Sequence, residues 1–244
     1  MDSTSEGSDP SACPVVMLPT FNEQGNLPLI VPKILSQGKR IRLVIVDDDS
    51  PDGTGDLADE LAKKYWGRIK VIHRKGEKGR GTAGIRGFKE ALMWDATCVI
   101  EMDADGSHDP QDIPRLLEAV KEADVAIGSR YVAGGEFINC DPKNILLSKI
   151  ANKYDRVILG LPIKEVSGGF KCYRRKVLES IDLDHFVSWG YCIGAEILYK
   201  IHKKGFTMKE IPVKFVNRKI GKSKANMKVK IEYPLTVLRL RLGF

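Results

Sequence analysis

Two aspartates one residue apart, Asp103 and Asp105 in the run Asp103-Ala104-Asp105, are the residues best suited to chemistry in this sequence. Paired carboxylates at that spacing can share one hard divalent cation, Mg2+ or Mn2+, and leave coordination sites open for phosphate oxygens. Ser107 and His108 follow closely enough to add a ligand or a hydrogen bond. A bare Asp-x-Asp also caps turns in many loops, so the motif alone does not make a site. Its position does: it follows the apolar run Cys98 to Met102, which reads as a buried strand.

Two more polar clusters end apolar runs in the same way. Pro19-Thr20-Phe21-Asn22-Glu23 follows Val15 to Leu18, and Asp47-Asp48-Asp49 follows Arg42 to Val46. Glu23 and Asp48 are candidates to accept hydrogen bonds from a ribose or a base, or to cap a helix and a turn. Arg130, Arg218 and Lys224 are candidate phosphate clamps, since guanidinium matches phosphate oxygens in pairs and lysine supplies a point charge.

The elements that must position these residues alternate. Strands are expected at Val15–Leu18, Arg42–Val46, Ile69–Ile72, Cys98–Met102 and Asp124–Gly128. Helices are expected over 22–38, from Thr54 or Asp56 to Tyr65, and near 85–94, 111–123, 144–159 and 195–203. The run Lys209 to Val216 alternates like one more strand, and Gly76 to Gly81 reads as a mobile basic loop. Strand and helix in alternation with short connections imply an α/β fold with a mainly parallel, helix-covered sheet. Ligands of such sheets bind beyond the carboxyl ends of the strands, which is where the three clusters fall.

Composition sets limits. The chain has 244 residues and is 43% hydrophobic, enough for one α/β domain with a packed core. A net charge of +7 implies an anionic partner: nucleic acid, a phosphorylated ligand or an anionic membrane surface. The basic tail lacks the aromatic interleaving of single-strand binders and carries no reader motif, so nucleic acid is not expected. Five scattered cysteines show no metal-site spacing and fit reduced thiols. No run of apolar residues is long enough to span a bilayer. Residues 1–13 read as a disordered leader, 14–228 as the enzymatic domain, and 229–244 as an amphipathic basic segment suited to a membrane surface.

Six motifs then occur in one order: LPTFNE (Leu18–Glu23), VDDDSPDGT (Val46–Thr54), EMDADGSH (Glu101–His108), GSRY (Gly128–Tyr131), GGFKCYRRKVL (Gly168–Leu178) and GKSK (Gly221–Lys224). Together the set resembles the dolichyl-phosphate (polyprenol-phosphate) mannosyltransferases of glycosyltransferase family 2. The resemblance runs from about Val15 to Lys224. It implies a GT-A fold, and a transfer of mannose from GDP-mannose to a polyprenyl phosphate with inversion. By motif, Pro19, Phe21, Glu23, Val46 and Asp48 would line the nucleoside pocket. Asp103, Ala104 and Asp105 would meet metal and diphosphate, with Ser107 as a further metal ligand. Arg130, Arg218 and Lys224 would clamp donor and acceptor phosphates, with Ser148 on the acceptor side. The expected partners are those two substrates and a membrane surface or membrane-anchoring partner, which places the enzyme at the cytoplasmic face of a membrane.

The sequence departs from the family pattern at Phe21, where a tyrosine is usual, and at Asp49, where a small residue is common. It also departs at Lys143-Asn144, where a basic pair is usual, and at Gly194-Ala195-Glu196. These departures fall more heavily on the acceptor side than on the donor side. A family 2 transferase using another nucleotide sugar, such as UDP-glucose, or another acceptor is the alternative that they leave open.

Overall fold

The computed structural model describes residues 9–76, 79–188, 190, 192–218 and 227–242, with residues 227–232 described only as helix. In chain order the elements are β1 (Pro14–Thr20), α1 (Leu27–Ser36), β2 (Arg42–Asp47), α2 (Thr54–Lys64), β3 (Ile69–His73), α3 (Arg80–Met93) and β4 (Cys98–Glu101). A 3-10 turn (Pro110–Asp112) leads into α4 (Ile113–Glu122), β5 (Val125–Ser129), β6 (Glu136–Ile138) and α5 (Pro142–Leu159). The chain continues through β7 (Lys171–Arg174), α6 (Arg175–Ser180), α7 (Cys192–Lys203), β8 (Met208–Pro212), β9 (Lys214–Val216) and α8 (Met227–Leu242).

Seven strands form the main sheet in the order β3-β2-β1-β4-β7-β5-β8, and β6 pairs with β9 in a small second sheet. Strand side chains alternate between faces, so β1 feeds two cores. Val15 and Met17 pack with Val44, Val46, Phe88 and Ala91 on one side. Val16 and Leu18 pack with Leu27, Ile34, Leu43 and Leu116 on the other. Helix α3 lies so close to the sheet that a methyl group at Gly87 would overlap Met17 Cγ and stand 3.2 Å from Val46 Cγ2.

The sheet is mainly parallel, as expected, with one insertion that the alternation did not reveal. Strand β7 runs antiparallel between β4 and β5. The chain leaves β5 at the carboxyl-end rim, passes through β6 and α5, and re-enters the sheet from that same rim, so its next strand must run the other way. The detour brings Gly168 to Lys171 beside Glu101 on the rim.

Lys209 to Val216 is not one strand. Pro212 has no amide hydrogen to continue the ladder. The chain bends at Val213, whose N–H donates to Ser129 O and whose carbonyl accepts from Glu136 N. β8 stays in the main sheet while β9 crosses to β6. Helix α3 begins at Arg80, earlier than the expected start near Ile85. Residues 9–13 of the expected leader are tied down: Pro10 O accepts from Thr97 Oγ1 at 2.8 Å, and Cys13 N donates to the same hydroxyl at 2.9 Å. The expected boundary at residue 229 falls inside α8.

α8 docks on α5 through a buried acid. Tyr233 Oη donates to Asp155 Oδ2 at 2.6 Å, and Asp155 Oδ1 is buried without a partner among the described residues. Burial pushes the Asp155 carboxyl up to about 6, with the Tyr233 hydrogen bond opposing. The folded state therefore holds this proton more tightly than the unfolded chain does. Below about pH 4 both states are protonated and the group is neutral to stability; as pH rises toward and past 6 it destabilises, by about 3 kcal/mol at the limit. Asp155→Asn is expected to raise the thermal midpoint above pH 7, with the gain vanishing near pH 4. A pH-independent difference would refute this reading.

Candidate active site

Three neighbouring parallel strands deliver the polar clusters to one rim. Thr20 is in register with Asp47 across β1 and β2, and Met17 with Glu101 across β1 and β4. Met102 N donates to Met17 O at 3.1 Å, so Asp103 emerges beside the end of β1.

The first two clusters are knitted by their own side chains. Thr20 Oγ1 donates to Asp47 Oδ1 at 3.2 Å, and Ser50 Oγ to the same oxygen at 2.6 Å. Asn22 N donates to Ser50 Oγ and Glu23 N to Thr54 Oγ1. Asn22 and Asp49 both sit at φ 55°, a left-handed conformation that asparagine and aspartate tolerate better than most side chains. Asp47 thus holds the turn together. Asp48 is buried: Arg74 Nη1 donates to its Oδ1 at 2.8 Å and Gly79 N to its Oδ2 at 2.8 Å. Gly79, within the stretch expected to be a mobile loop, is thereby tied to the sheet.

Pro19 and Phe21 are half-buried at the rim and Glu23 is buried, accepting from Asn26 Nδ2 at 2.6 Å. The Val46 side chain is wholly buried in the core, and its carbonyl accepts from Thr20 Oγ1. Lys224 lies outside the described residues.

The centre of the rim is a charge network. Asp103 Oδ1 accepts from Arg80 Nε at 3.0 Å and Nη2 at 2.7 Å, while Arg80 Nη1 reaches Glu101 Oε1 at 3.1 Å. Burial works to raise the Asp103 carboxyl, but Arg80, His108 and Arg218 outweigh it and hold it below the usual value. Asp105 Oδ1 accepts from Ser107 N at 3.0 Å, and Arg218 Nη2 stands 3.0 Å from Asp105 Oδ2. The β6–β9 sheet places that arginine: Val216 N donates to Ser107 O and Asn217 N to Ile138 O. His108 is buried, stacks on Phe170 at 5.0 Å and accepts from Asp103 N through Nδ1 at 3.3 Å. Burial lowers its pKa against the pull of the two aspartates. Its Nδ1 serves the loop and is not turned to a ligand.

The donor set fits a hard cation. Asp103 and Asp105 supply carboxylate oxygens, and Ser107 Oγ is buried without a hydrogen-bond partner among the described residues. An orphaned hydroxyl beside two acids suits an oxygen-seeking ion. No group of three or more His, Cys, Asp or Glu able to hold a metal occurs among the described residues. Mg2+ takes one or two carboxylates, substrate phosphate oxygens and waters, which is compatible with a two-aspartate set.

Arg130 is deeply committed. Its Nε and Nη2 meet the two oxygens of Glu165, both at 2.7 Å, and its guanidinium lies 4.9–5.3 Å from the rings of Tyr131, Phe137 and Phe215. It therefore sits in the site as a pre-oriented, charge-balanced group. Ser148 Oγ is 2.6 Å from Tyr131 Oη. Lys143 is exposed on the first turn of α5, where its backbone N–H is capped by Asp141.

Sequence reasoning missed Arg74, Arg80, Glu101, Glu165 and Lys171. One signal was available: Glu101 in CVIE and Lys171 in FKCY are charges inside short buried strands. Lys171 is buried and donates to Gly168 O; burial lowers its pKa while Glu101 and Glu165 oppose. The Gly168-Gly169 pair is explained by crowding. A methyl group at Gly169 would overlap Arg80 Nη2 and lie 3.1 Å from Asp103 Oδ2. Gly169→Ala is expected to push Arg80 off Asp103 and cut turnover at least about tenfold at nearly unchanged thermal stability, because the displaced atom ends a flexible side chain. Wild-type turnover in a folded Gly169→Ala protein would contradict it.

Comparison with known proteins gives this site a context. The model of Glycosyl transferase family 2 matches residues 15–182. Polyprenol monophosphomannose synthase of Mycolicibacterium smegmatis is 44% identical over 216 residues, covering 88% of this chain and 82% of that protein. Undecaprenyl-phosphate mannosyltransferase of Micrococcus luteus is 38% identical over 229 residues, covering 94% of each. Among solved structures, glucosyl-3-phosphoglycerate synthase from Mycobacterium tuberculosis, in complex with Mn2+, UDP and glucosyl-3-phosphoglycerate, superposes with a TM-score of 0.67 at 15% identity. That match covers 96% of this chain and 81% of that one. At that identity the likeness speaks for the fold, which is GT-A.

Proposed function

We propose a function from one premise: this chain belongs to glycosyl transferase family 2. It moves a mannosyl group from GDP-mannose to a polyprenyl phosphate, with inversion, giving polyprenyl-phosphate mannose and GDP. The observation that carries this reading is identity of 44% and 38%, over most of the chain, to two proteins named for joining mannose to a polyprenyl-type phosphate.

The rim chemistry is consistent with it. A polyprenyl phosphate is already anionic near neutral pH, so its oxygen can attack the anomeric carbon without a strong base. As that carbon–oxygen bond forms on one face, the bond to the diphosphate breaks on the other, and GDP leaves. The protein's tasks are alignment and neutralisation of the leaving diphosphate. Asp103, Asp105 and Ser107 would hold Mg2+ or Mn2+, which would supply Lewis-acid stabilisation of that leaving group. Arg218, already at Asp105, adds positive charge where the diphosphate would lie. Pro19, Phe21, Glu23 and the Asp48–Arg74 pair border the nucleoside side. Arg130 and Ser148 serve the acceptor phosphate.

A lipid acceptor requires contact with a membrane. No helix among the described residues is long and apolar enough to cross one. Helices α5 and α8 instead expose Leu146, Leu147, Ile150, Leu235, Leu238 and Leu242 among exposed Lys149, Lys153, Arg239 and Arg241. Such a surface suits peripheral binding at the anionic cytoplasmic face, where each basic residue contributes about 1 kcal/mol.

The test is incubation with a panel of labelled nucleotide sugars and a short polyprenyl phosphate. Label is expected in the lipid from GDP-mannose. Label entering the lipid only from a UDP-sugar, or entering no polyprenyl phosphate at all, would refute the assignment.

A further inference from the structure

A long surface helix ordinarily docks by an apolar stripe. α5 does not. Its buried residues are Asn152, Asp155 and Leu159, while Leu146, Leu147 and Ile150 remain more than half exposed. Its middle is tied to the site by the amide of Asn152. Asn152 Nδ2, with two hydrogens to give, stands within hydrogen-bond distance of three acceptors: Ser148 O at 2.8 Å, Ser167 Oγ at 2.9 Å and Tyr131 Oη at 3.1 Å. Its Oδ1 accepts from Val166 N at 2.7 Å and Ser167 N at 3.0 Å. Both hydrogens and both lone pairs of the amide are thereby used.

The partners of Asn152 lead into the site. Ser167 Oγ lies 3.3 Å from Arg130 Nη2, and Tyr131 Oη lies 2.6 Å from Ser148 Oγ. An unbroken chain of hydrogen bonds thus runs from Arg130 through Ser167, Asn152 and Tyr131 to Ser148 on α5. The same short segment carries Glu165, which grips Arg130, and leads to Gly169, where only the absence of a side chain leaves room for Arg80 beside Asp103.

We propose that Asn152 is the positioning residue for the acceptor phosphate: it sets the Tyr131, Ser148 and Ser167 hydroxyls beside Arg130 and thereby registers α5 against the metal side of the site. The proposal rests on the lipid-phosphate reading above and deepens it. Asn152 itself touches no reacting atom. Its effect comes from the geometry of the groups that do, for which small misplacements cost about 10²-fold in rate.

The test compares Asn152→Asp and Tyr131→Phe with the wild type in transfer from GDP-mannose to a short polyprenyl phosphate. Asn152→Asp keeps the acceptor oxygen for the Val166 and Ser167 amides but loses both amide hydrogens. It is expected to lower kcat/KM for the lipid about 10²-fold while KM for the sugar nucleotide and the affinity for GDP with Mn2+ stay at wild-type values. Tyr131→Phe breaks the chain at one hydroxyl, and its expected loss is about tenfold, again on the lipid alone. A residue that merely holds the fold would move donor and lipid parameters together. That joint loss, or wild-type lipid kinetics in both variants, overturns the proposal; if Asn152→Asp does not fold, Tyr131→Phe decides. A wild-type enzyme that labels no polyprenyl phosphate is a separate outcome: it refutes the functional reading itself, and the proposal with it.

Discussion

Asp105→Ala is expected to reduce sugar transfer by about 10³-fold or more while the protein stays folded. Asp105 is 8% exposed and makes two contacts that matter, to Ser107 N at 3.0 Å and to Arg218 at 3.0 Å. Losing the turn hydrogen bond costs about 1 kcal/mol, which a domain of this size survives. Losing the carboxylate removes one of the two acids proposed to hold the diphosphate's cation and takes one counter-charge from Arg218. Asp105→Asn keeps an oxygen for Ser107 N and separates the two effects: it should melt like the wild type and still fail to turn over. Transfer assays alongside thermal melts check both variants. Near-normal turnover in Asp105→Ala with metal present would remove the pair from the mechanism.

Glu165→Ala is expected to be the most destabilising change at the site, by about 3–5 kcal/mol. Glu165 is fully buried, and its carboxylate accepts from Arg130 N, Nε and Nη2 and from Gly168 N. Its removal leaves the Arg130 charge, whose side chain is only 12% exposed, without its partner. It also takes an opposing charge from buried Lys171. For a chain of this length that loss lowers the thermal midpoint by about 10 °C. Glu165→Gln keeps the shape and half of the acceptors, and should fall between. A urea midpoint unchanged in Glu165→Ala would mean that Arg130 finds another partner.

The three rim clusters were more legible in the sequence than the residues packed around them, for a physical reason. Asp103 directly follows an apolar run, Asp48 follows one after a single aspartate and Glu23 lies five residues past one, so strand geometry brings them to the rim without knowledge of the rest of the fold. Arg80, Glu165 and Asn152 reach the site only through tertiary packing. Arg80 starts a helix, Glu165 lies on the return path of an antiparallel strand, and Asn152 sits mid-helix among exposed leucines. The same return path hid β7, because alternation of strand and helix reports parallel units and carries no sign of strand direction. Pro212 marked the break between β8 and β9, yet the period-two pattern of KEIPVKFV continues through it. Val46 shows the converse: a motif position whose side chain faces the core and whose part at the rim is its carbonyl.

Asp103 and Asp105 are proposed to join a divalent cation to a nucleotide diphosphate at the carboxyl ends of β1, β2 and β4. Titration of GDP against the wild type and Asp105→Ala, each with and without Mn2+, tests it most directly. Mn2+ is expected to tighten GDP binding at least about tenfold in the wild type and to have no effect in the variant. Equal tightening in both proteins, or none in the wild type, would contradict the claim.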